Sequence, residues 1–234
     1  MKLIYSGKTK DVYQTDKSDI LRFAFTDKVT KNDQGEIDPG GNIASGATVR
    51  GQAWACLAMT SAVFKELQNR CCNTHMVDFD INKLTMDAKQ AVMFKPGLEW
   101  VGRWRCTGSF MRRYKMVPNI IDGMVLHHPV YEITLKDDAA GDPLIVPSAI
   151  IGLGIMTNDE MEKLWTVNKK TLNYIWQMFK DLGLDLWDIK IEWGFTGDNI
   201  PTLIDEIGPG SCRAFKSGTQ ERVDGIELAK YFAY

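Results

Sequence analysis

Three charged residues alternate along a segment that otherwise has the pattern of a β-hairpin. Asp188, Lys190 and Glu192 occur at every second position, and Asp205 follows a turn at 196–199. Because successive side chains of a strand point to opposite faces, the first three residues share one face of the hairpin. Pairing across a two- or four-residue loop brings Asp205 to the same face. The sequence therefore predicts three carboxylates and an ammonium group within reach of one another.

Two interpretations of this charged face are open. In the pairing that we expect, Lys190 lies opposite Asp205 and Glu192 opposite Leu203, and the other, apolar face has Glu206 at its end. The charged face could simply be solvated and hold a weak Lys–Asp ion pair. It could instead bind a divalent cation, because Mg²⁺ prefers a few carboxylates together with waters and substrate phosphates. In that case Glu192 and Asp205 hold the metal, and Lys190 meets a substrate anion or phosphate.

A glycine followed by two lysines near the start of the chain could bind phosphate. In the segment YSGKTKDVY, Gly7 precedes Lys8 and Lys10. A glycine lets the backbone approach phosphate oxygens closely, and lysines neutralise their charge. The segment lacks the G-x-x-x-x-G-K-[ST] pattern of a P-loop. A charged hairpin turn and a nucleotide clamp are both compatible with it.

Four arginines surround a Gly-Ser turn in the segment GRWRCTGSFMRRY. A turn of this kind at the start of a helix supplies free backbone N–H groups and a hydroxyl group. The planar fork of a guanidinium group matches phosphate geometry. The segment predicts either an anion site or a solvated basic face, and its members are Arg103, Arg105, Thr107, Gly108, Ser109, Arg112 and Arg113.

A third charged group follows a predicted strand in the segment LKDDAAGDPLI. It contains Lys136, Asp137, Asp138 and Asp142. Loops at the ends of strands are common places for catalytic residues. An acidic loop that simply faces solvent is equally compatible with the pattern.

Composition limits the class of protein. The chain has 234 residues, a mass of 26.4 kDa and a formal net charge of −2, which gives no general attraction to nucleic acid or to an anionic membrane. Five cysteines without a C-x-x-C pair predict reduced thiols and a cytoplasmic protein. The three histidines show no metal-binding spacing, so we expect each to be exposed or hydrogen-bonded. We find no signal peptide and no apolar run of about 20 residues.

The elements that must position these residues indicate an α+β fold. Short strands dominate the first half, together with a helix predicted over 47–70 and a polar, glycine-rich loop over 30–42. A long helix is predicted from a cap at Thr157 or Asn158 to Gly183. We expect two lobes of antiparallel sheets with flanking helices, divided into residues 1–95 and 96–234.

Five segments in this order resemble the phosphoribosylaminoimidazole-succinocarboxamide synthase (SAICAR synthetase) family. They are GKTKDVY, GRWRCTGSFMRRY, VYEITLKDDAAGDPLI, DIKIEWG and IDEIGPGSCR, and the resemblance covers nearly the whole chain. It implies a two-lobed α+β fold related to ATP-grasp enzymes, with ATP between the lobes. The implied reaction joins the carboxylate of the ribonucleotide CAIR (carboxyaminoimidazole ribotide) to the amine of L-aspartate, with ATP converted to ADP and phosphate.

The resemblance also implies a role for each matching residue. The nucleotide contacts lie in the N-terminal, ATP-binding lobe and in the loop after the predicted strand, and the metal and ribotide sites lie in the C-terminal lobe. The implied set is Lys8, Thr9, Lys10 and Lys136 for ATP, Glu192 and Asp205 for Mg²⁺, Arg103, Ser109 and Arg213 for the ribotide, and Asp142, Asp188 and Lys190 for the reacting groups.

The chain departs from the family pattern next to Arg213. The family's S-P-D is replaced by residues 208–210, which read Gly-Pro-Gly, and its L-W-D by residues 214–216, which read Ala-Phe-Lys. These changes leave open a ligase of the same fold that takes a different amine or ribotide, and a small-molecule phosphotransferase is a further alternative. Many family members continue beyond this region with a helix that supports oligomer contacts. A homodimer is the expectation for this chain.

Overall fold

The computed structural model describes residues 1–31, 43–197, 199–223 and 225–233. The predicted loop over 30–42 lies mostly outside them. The first sheet is antiparallel, and alternate residues such as Val12, Phe23 and Met86 are buried in the core. Its strands, in spatial order, are β1 (Lys2–Ser6), β2 (Lys10–Gln14), β3 (Ile20–Phe25), β7 (Thr85–Lys89) and β6 (Met76–Asp80).

A two-stranded sheet and a long helix follow the first three strands. The small sheet consists of β4 (Lys28–Lys31) and β5 (Ile43–Thr48). The helix α1 (Gln52–Asn69) packs against β3 and β6 and buries Leu57, Phe64 and Leu67. Its burial on several sides explains why it carries few charged residues.

The second sheet is built around one long strand, β11 (Leu184–Thr196). The strand is long enough to pair with four others, because different parts of it have different neighbours. Those neighbours and the outer strands are β8 (Val92–Met93), β9 (Leu98–Arg105), β10 (Val125–Leu135), β12 (Ile200–Ile204), β13 (Cys212–Lys216) and β14 (Arg222–Val223).

One face of the second sheet is covered by the helix α4 (Asn158–Asp181). Thr157 forms a capping box with Glu160 at its start, which confirms the first of the two predicted caps, and Gly183, with φ of 74°, follows its end. Trp193 of β11 donates from Nε1 to Asn168 Oδ1 of α4 over 3.0 Å. A bulge between Leu186 and Asp188 interrupts the alternation of β11, and from Asp188 onward the side chains at even positions, including Glu192, lie on the face away from α4.

Three short helices complete the described chain: α2 (Ser109–Arg113), α3 (Pro147–Gly152) and α5 (Gly225–Lys230). Residues Asp138–Ala140 and Pro209–Ser211 form single 3₁₀ turns. None of the described helices is long and apolar enough to cross a membrane. The α+β fold with antiparallel sheets is confirmed. The first sheet ends at Lys89 and the second begins at Val92, and the division into 1–95 and 96–234 stays a prediction.

The structure corrects the predicted hairpin register by one residue. Glu192 pairs with Ile204 rather than Leu203, and Thr196 pairs with Ile200, so that three residues separate the last paired positions. Residue 198 lies outside the described part of the chain. In this register Ile204 shares the face of Glu192, and Asp205 follows the last paired residue instead of lying opposite Lys190.

Other expected boundaries also differ. The helix predicted over 47–70 begins at Gln52, because residues up to Thr48 pair with β4 and Gly51 adopts a φ of 92°. The strands β4, β5, β7, β13 and β14 and the helix α3 were not predicted. β7 pairs with β3 and β13 pairs with β11, strands distant in sequence that local patterns do not reveal, whereas the two-residue β14 pairs with the nearby β13.

Candidate active site

A cavity of about 800 Å³ lies between the two large sheets. Its lining combines the Gly7–Lys10 turn, apolar residues of β2 and β3, the charged face of β11, and the chain that leaves β12. Seven of the twelve residues to which the resemblance assigns a role line it, namely Lys8, Thr9, Lys10, Lys136, Lys190, Glu192 and Asp205.

Direct cross-strand pairing builds the charged floor of this cavity. In β9 and β11, Glu99 lies opposite Glu192, and Arg103 lies opposite Asp188. Lys190, between the two acidic positions, donates from Nζ to Glu99 Oε1 over 2.7 Å, and Lys136 Nζ donates to Glu192 Oε1 over 2.5 Å. The alternating charges of β11 are therefore balanced by partners on neighbouring strands and loops.

Both lysines stay protonated in this environment. Burial alone lowers the pKa of Lys190, but the nearby Glu99 carboxylate outweighs this and leaves the pKa above its usual value. Burial likewise opposes the charge of Lys136, and Glu192 and Asp205 raise its pKa well above the usual value. These ammonium groups are suited to neutralising anions, and neither is suited to accepting a proton at neutral pH.

Lys10 lies at the opposite wall of the cavity, between two adjacent acids. Its Nζ contacts the carboxylates of Asp205 and Glu206, and Thr9 Oγ1 donates to Glu206 Oε1 over 2.7 Å. Lys10 is only 8% exposed, so this ammonium group is held in a largely desolvated position. The expected place of Glu206 on the apolar core face of the hairpin is wrong, because the chain leaves β12 at Ile204 and turns at Asp205.

Two carboxylates of the cavity influence each other's ionisation. Burial, and then the charge of Asp205, raise the pKa of Glu192 to about 7. Burial also opposes ionisation of Asp205, but Lys10 and Lys136 outweigh it and hold the pKa of Asp205 at about 2. A bound cation would relieve the repulsion that raises the pKa of Glu192.

The carboxylate pair fits a magnesium ion that keeps several ligands from water or substrate. Within the described ranges, no three or more His, Cys, Asp or Glu residues form a complete metal-binding group. Mg²⁺ is commonly held by one or two protein carboxylates together with phosphate oxygens. Glu192 and Asp205 satisfy that pattern.

The loop after β10 places Asp138 at the cavity and Asp142 outside its lining. Lys8 and Asp138 form an ion pair of 2.5 Å between side chains that are 39% and 50% exposed. Asp142 does not line the cavity, and its Oδ1 accepts a hydrogen bond of 3.0 Å from the backbone N–H of Asp137. The predicted catalytic role of Asp142 stays a prediction.

The predicted ribotide residues form a second cluster further along the same sheet face. Arg103 donates from Nε to Glu132, from Nη1 to Asp188 and from Nη2 to Ser109, at 2.7, 2.7 and 2.9 Å. Arg213 Nη1 donates to the same Oδ2 atom of Asp188 over 2.7 Å. The structure thus joins Arg103, Ser109, Arg213 and Asp188 directly.

The two arginines of the cluster differ in exposure. Arg103 is 3% exposed and most of its donors are engaged within the protein, whereas 31% of the Arg213 side chain is exposed. Gly108 makes this arrangement possible, because a β-carbon there would lie 2.8 Å from Arg213 Nη1. Of the other arginines in the segment, Arg113 contacts Glu132 over 2.5 Å, and Arg105 pairs instead with Asp185.

A family model described as SAICAR synthetase matches residues 3–231. The chain belongs to the SAICAR synthetase family. A phosphoribosylaminoimidazole-succinocarboxamide synthase from Clostridium tetani is 39% identical over 231 residues, which are 98% of each chain. The enzyme of the same name from Finegoldia magna is 33% identical over 96% of this chain and 90% of its own.

Solved structures of the same family share the fold. The phosphoribosylaminoimidazole-succinocarboxamide synthase from Ehrlichia chaffeensis gives a TM-score of 0.83 at 26% identity, over 95% of this chain and 89% of that chain. A SAICAR synthetase (type 2) in complex with ADP gives a TM-score of 0.81 at 26% identity, over 94% and 87%. The family resemblance inferred from the sequence is confirmed.

Sequence reasoning missed three acids that hold the residues of the candidate site together. Glu99 accepts hydrogen bonds from Lys190 and, over 3.1 Å, from Thr134. Glu132 forms an ion pair with Arg103, and Glu206 forms one with Lys10. The spacing of Glu99 and Arg103 within β9 places both on one face, and this is the signal that could have identified Glu99.

Proposed function

We propose that the chain is an ATP-dependent carbon–nitrogen ligase that joins the carboxylate of CAIR to the amine of L-aspartate in purine biosynthesis. The family match over residues 3–231 carries this proposal. The site is chemically suited to the reaction, because one cavity gathers lysines and carboxylates and a buried arginine cluster adjoins it on the same sheet. The products are the succinocarboxamide (SAICAR), ADP and phosphate.

ATP is proposed to occupy the cavity between the sheets. Lys8, Thr9 and Lys10 offer two ammonium groups and a hydroxyl group to the phosphates, and Lys136 approaches from the opposite side. The apolar part of the same cavity suits a purine base, and it includes Val12, Leu21, Phe23, Met93 and Phe94. Binding of the phosphates by Lys10 requires them to compete with Asp205 and Glu206 for its ammonium group.

Glu192 and Asp205 are proposed to hold Mg²⁺ against the phosphates. When bound, the ion neutralises charge that develops on the transferred phosphoryl group. Each carboxylate already has a lysine partner, Lys136 for Glu192 and Lys10 for Asp205. The two lysines would then turn from the carboxylates to the phosphate oxygens.

Arg213 and Ser109 are proposed to contact the phosphate of the ribotide, together with Arg103. The exposed part of Arg213 is available to an incoming anion, and Arg103 fixes Ser109 and Asp188 behind it. A guanidinium group paired with a hydroxyl group matches the geometry of a phosphate.

The reaction that we propose proceeds in two balanced steps. A carboxylate oxygen of CAIR attacks the γ-phosphorus of ATP, the bond to the β-phosphate oxygen breaks, and an acyl phosphate and ADP result. The neutral amine of aspartate then attacks the acyl carbon, phosphate leaves, and the nitrogen loses a proton as the amide forms. Lys190 stabilises the negative charge of the reacting carboxylate, and Asp188 completes the substrate pocket. The part of Asp142, which lies outside the cavity, stays a prediction.

An ADP-release assay with components omitted in turn tests the proposal. ADP formation should require Mg²⁺, CAIR and L-aspartate together, and the product mass should equal that of the succinocarboxamide. Turnover with another amine but not with aspartate would favour the altered specificity that the Gly208–Gly210 departure leaves open. A stable phosphorylated product without amide would favour a phosphotransferase and contradict the ligase.

Three further expectations belong to this proposal. All five cysteines are unpaired, which is compatible with the cytoplasmic location that we propose. The small-molecule partners are ATP, CAIR and L-aspartate, with no nucleic acid and no membrane. A homodimer, and the division into an ATP-binding lobe (1–95) and a metal and ribotide lobe (96–234), stay predictions.

A further inference from the structure

Asp205 adopts a backbone conformation that few non-glycine residues adopt. Its φ is +67°, in the left-handed region, directly after β12 ends at Ile204. Aspartate tolerates this region better than most residues, but the conformation still has to be held by its surroundings. The turn sends the carboxylate of Asp205 to Lys10 and its backbone carbonyl oxygen to His75.

His75 is built into the protein at the point where it meets this carbonyl group. Its Nε2 lies 3.0 Å from Asp205 O, and the residue is 3% exposed. The ring packs edge-on against Phe23 and Phe64, with centroid distances of 5.3 and 5.8 Å. These contacts leave the imidazole little freedom to turn away from Asp205.

The backbone of His75 is also fixed to the strand that precedes Asp205. The N–H of His75 donates to Leu203 O over 2.9 Å, and the N–H of Leu203 donates to Asn73 O over 2.9 Å. The segment 73–75 therefore runs beside the end of β12. His75 holds Leu203 through its backbone and Asp205 through its ring.

The hydrogen bond defines the tautomer of His75. A carbonyl oxygen only accepts, so Nε2 carries the hydrogen and donates it. The imidazole thus serves as a fixed donor to Asp205 O.

We propose that His75 is a positioning residue for the magnesium site, because its Nε2–H holds Asp205 in the left-handed turn that directs the carboxylate into the cavity with Glu192. The inference rests on the proposed metal role of Asp205. It adds His75, which is not among the site residues expected from the sequence. Loss of the donor leaves a carbonyl oxygen without its partner and frees Asp205 to relax toward an extended conformation.

The test is calorimetric binding of ADP to the full chain, with and without Mg²⁺. We expect His75→Leu, which keeps an apolar side chain but removes the donor, to raise the Kd of ADP in Mg²⁺ about tenfold, the scale of losses when a group supporting a metal ligand is removed. The Kd without Mg²⁺ should stay nearly unchanged. His75→Gln, whose amide N–H₂ group can replace Nε2–H, should recover most of the loss.

Two comparisons separate positioning from general destabilisation. Leu164→Ala, in the buried part of α4, lowers stability without removing a hydrogen bond, and it should leave the Mg²⁺ dependence of ADP binding unchanged. In an Asp205→Asn background, His75→Leu should have no additional effect on that dependence. The KM for the ribotide should not change in His75→Leu.

Wild-type Mg²⁺ dependence in His75→Leu would overturn the inference and leave the proposed function standing. Equal losses in His75→Leu and Leu164→Ala, or no recovery in His75→Gln, would also overturn it. If ADP binding by the wild-type protein does not respond to Mg²⁺ at all, the metal assignment of Glu192 and Asp205 fails, and the role of His75 fails with it.

Discussion

Arg103 should contribute to the stability of the fold as well as to binding of the ribotide. The Arg103→Ala variant keeps Glu132 and Asp188 buried, with 5% of each side chain exposed, and removes the guanidinium group between them. Removing one partner of a buried ion pair costs about 3–5 kcal/mol. Because Arg113 and Arg213 still contact the two acids, we expect a loss near the lower limit, about 3 kcal/mol.

Urea denaturation followed by circular dichroism measures this loss. With a slope of about 2–3 kcal/mol per molar urea, the midpoint should fall by about 1–1.5 M. Arg70→Ala is the matched control, because its pair with Glu66 joins two partly exposed residues of one helix turn and should contribute less than about 1 kcal/mol.

Arg213→Ala should show the opposite balance of effects. Its side chain is 31% exposed and Asp188 keeps Arg103 as a partner, so the urea midpoint should barely move. Loss of a charged hydrogen bond to the ribotide phosphate should raise its KM about tenfold or more. A wild-type midpoint in Arg103→Ala would refute the account of a buried network. So would a large loss of stability with a normal ribotide KM in Arg213→Ala.

Three further predictions concern the cavity and the thiols. Glu192→Gln and Asp205→Asn should each nearly abolish ADP release while leaving the circular dichroism spectrum unchanged, and near-normal turnover in both would remove the metal assignment. Lys10→Ala should raise the KM for ATP about tenfold or more, because it removes a buried ammonium group from the phosphate site, and an unchanged KM would contradict that role. Thiol titration of the native protein should detect one fast-reacting cysteine, the exposed Cys71, because the other four are buried and burial raises the pKa of Cys56 to about 12. Cys71→Ser should remove the fast reaction, and a second fast-reacting thiol would contradict the packing.

The charged face of β11 could be predicted because strand alternation is a local property. Asp188, Lys190 and Glu192 share a face wherever the strand lies in the sheet, and one apolar face against α4 fixes which side they occupy. The long helix α4 was predictable for a similar reason, since its cap at Thr157 and its stop at Gly183 lie within the segment itself.

The hairpin register was not predictable, because it depends on the conformation of a short loop. Two- and four-residue loops centred on this turn give the same pairing, whereas three residues between the paired positions shift it by one. The left-handed turn at Asp205 is a second feature without a local signal. It depends on His75, which lies 130 residues earlier in the chain.

The partners of the charged residues also depend on the topology of the sheet. Glu99 meets Lys190, and Lys10 meets Glu206, across separations of 91 and 196 residues. No periodicity within one segment identifies such a partner. The family resemblance supplied the expected roles of the residues, and the structure adds the acids that hold them in place.

Transfer of oxygen-18 from the CAIR carboxylate tests the central claim most directly. CAIR labelled in both carboxylate oxygens would be incubated with unlabelled ATP, Mg²⁺ and L-aspartate, and the phosphate released would be analysed by mass spectrometry. An acyl phosphate route predicts one labelled oxygen in each phosphate and one in the amide product. Unlabelled phosphate, formed together with ADP, would contradict activation of the ribotide carboxylate and with it the proposed reaction.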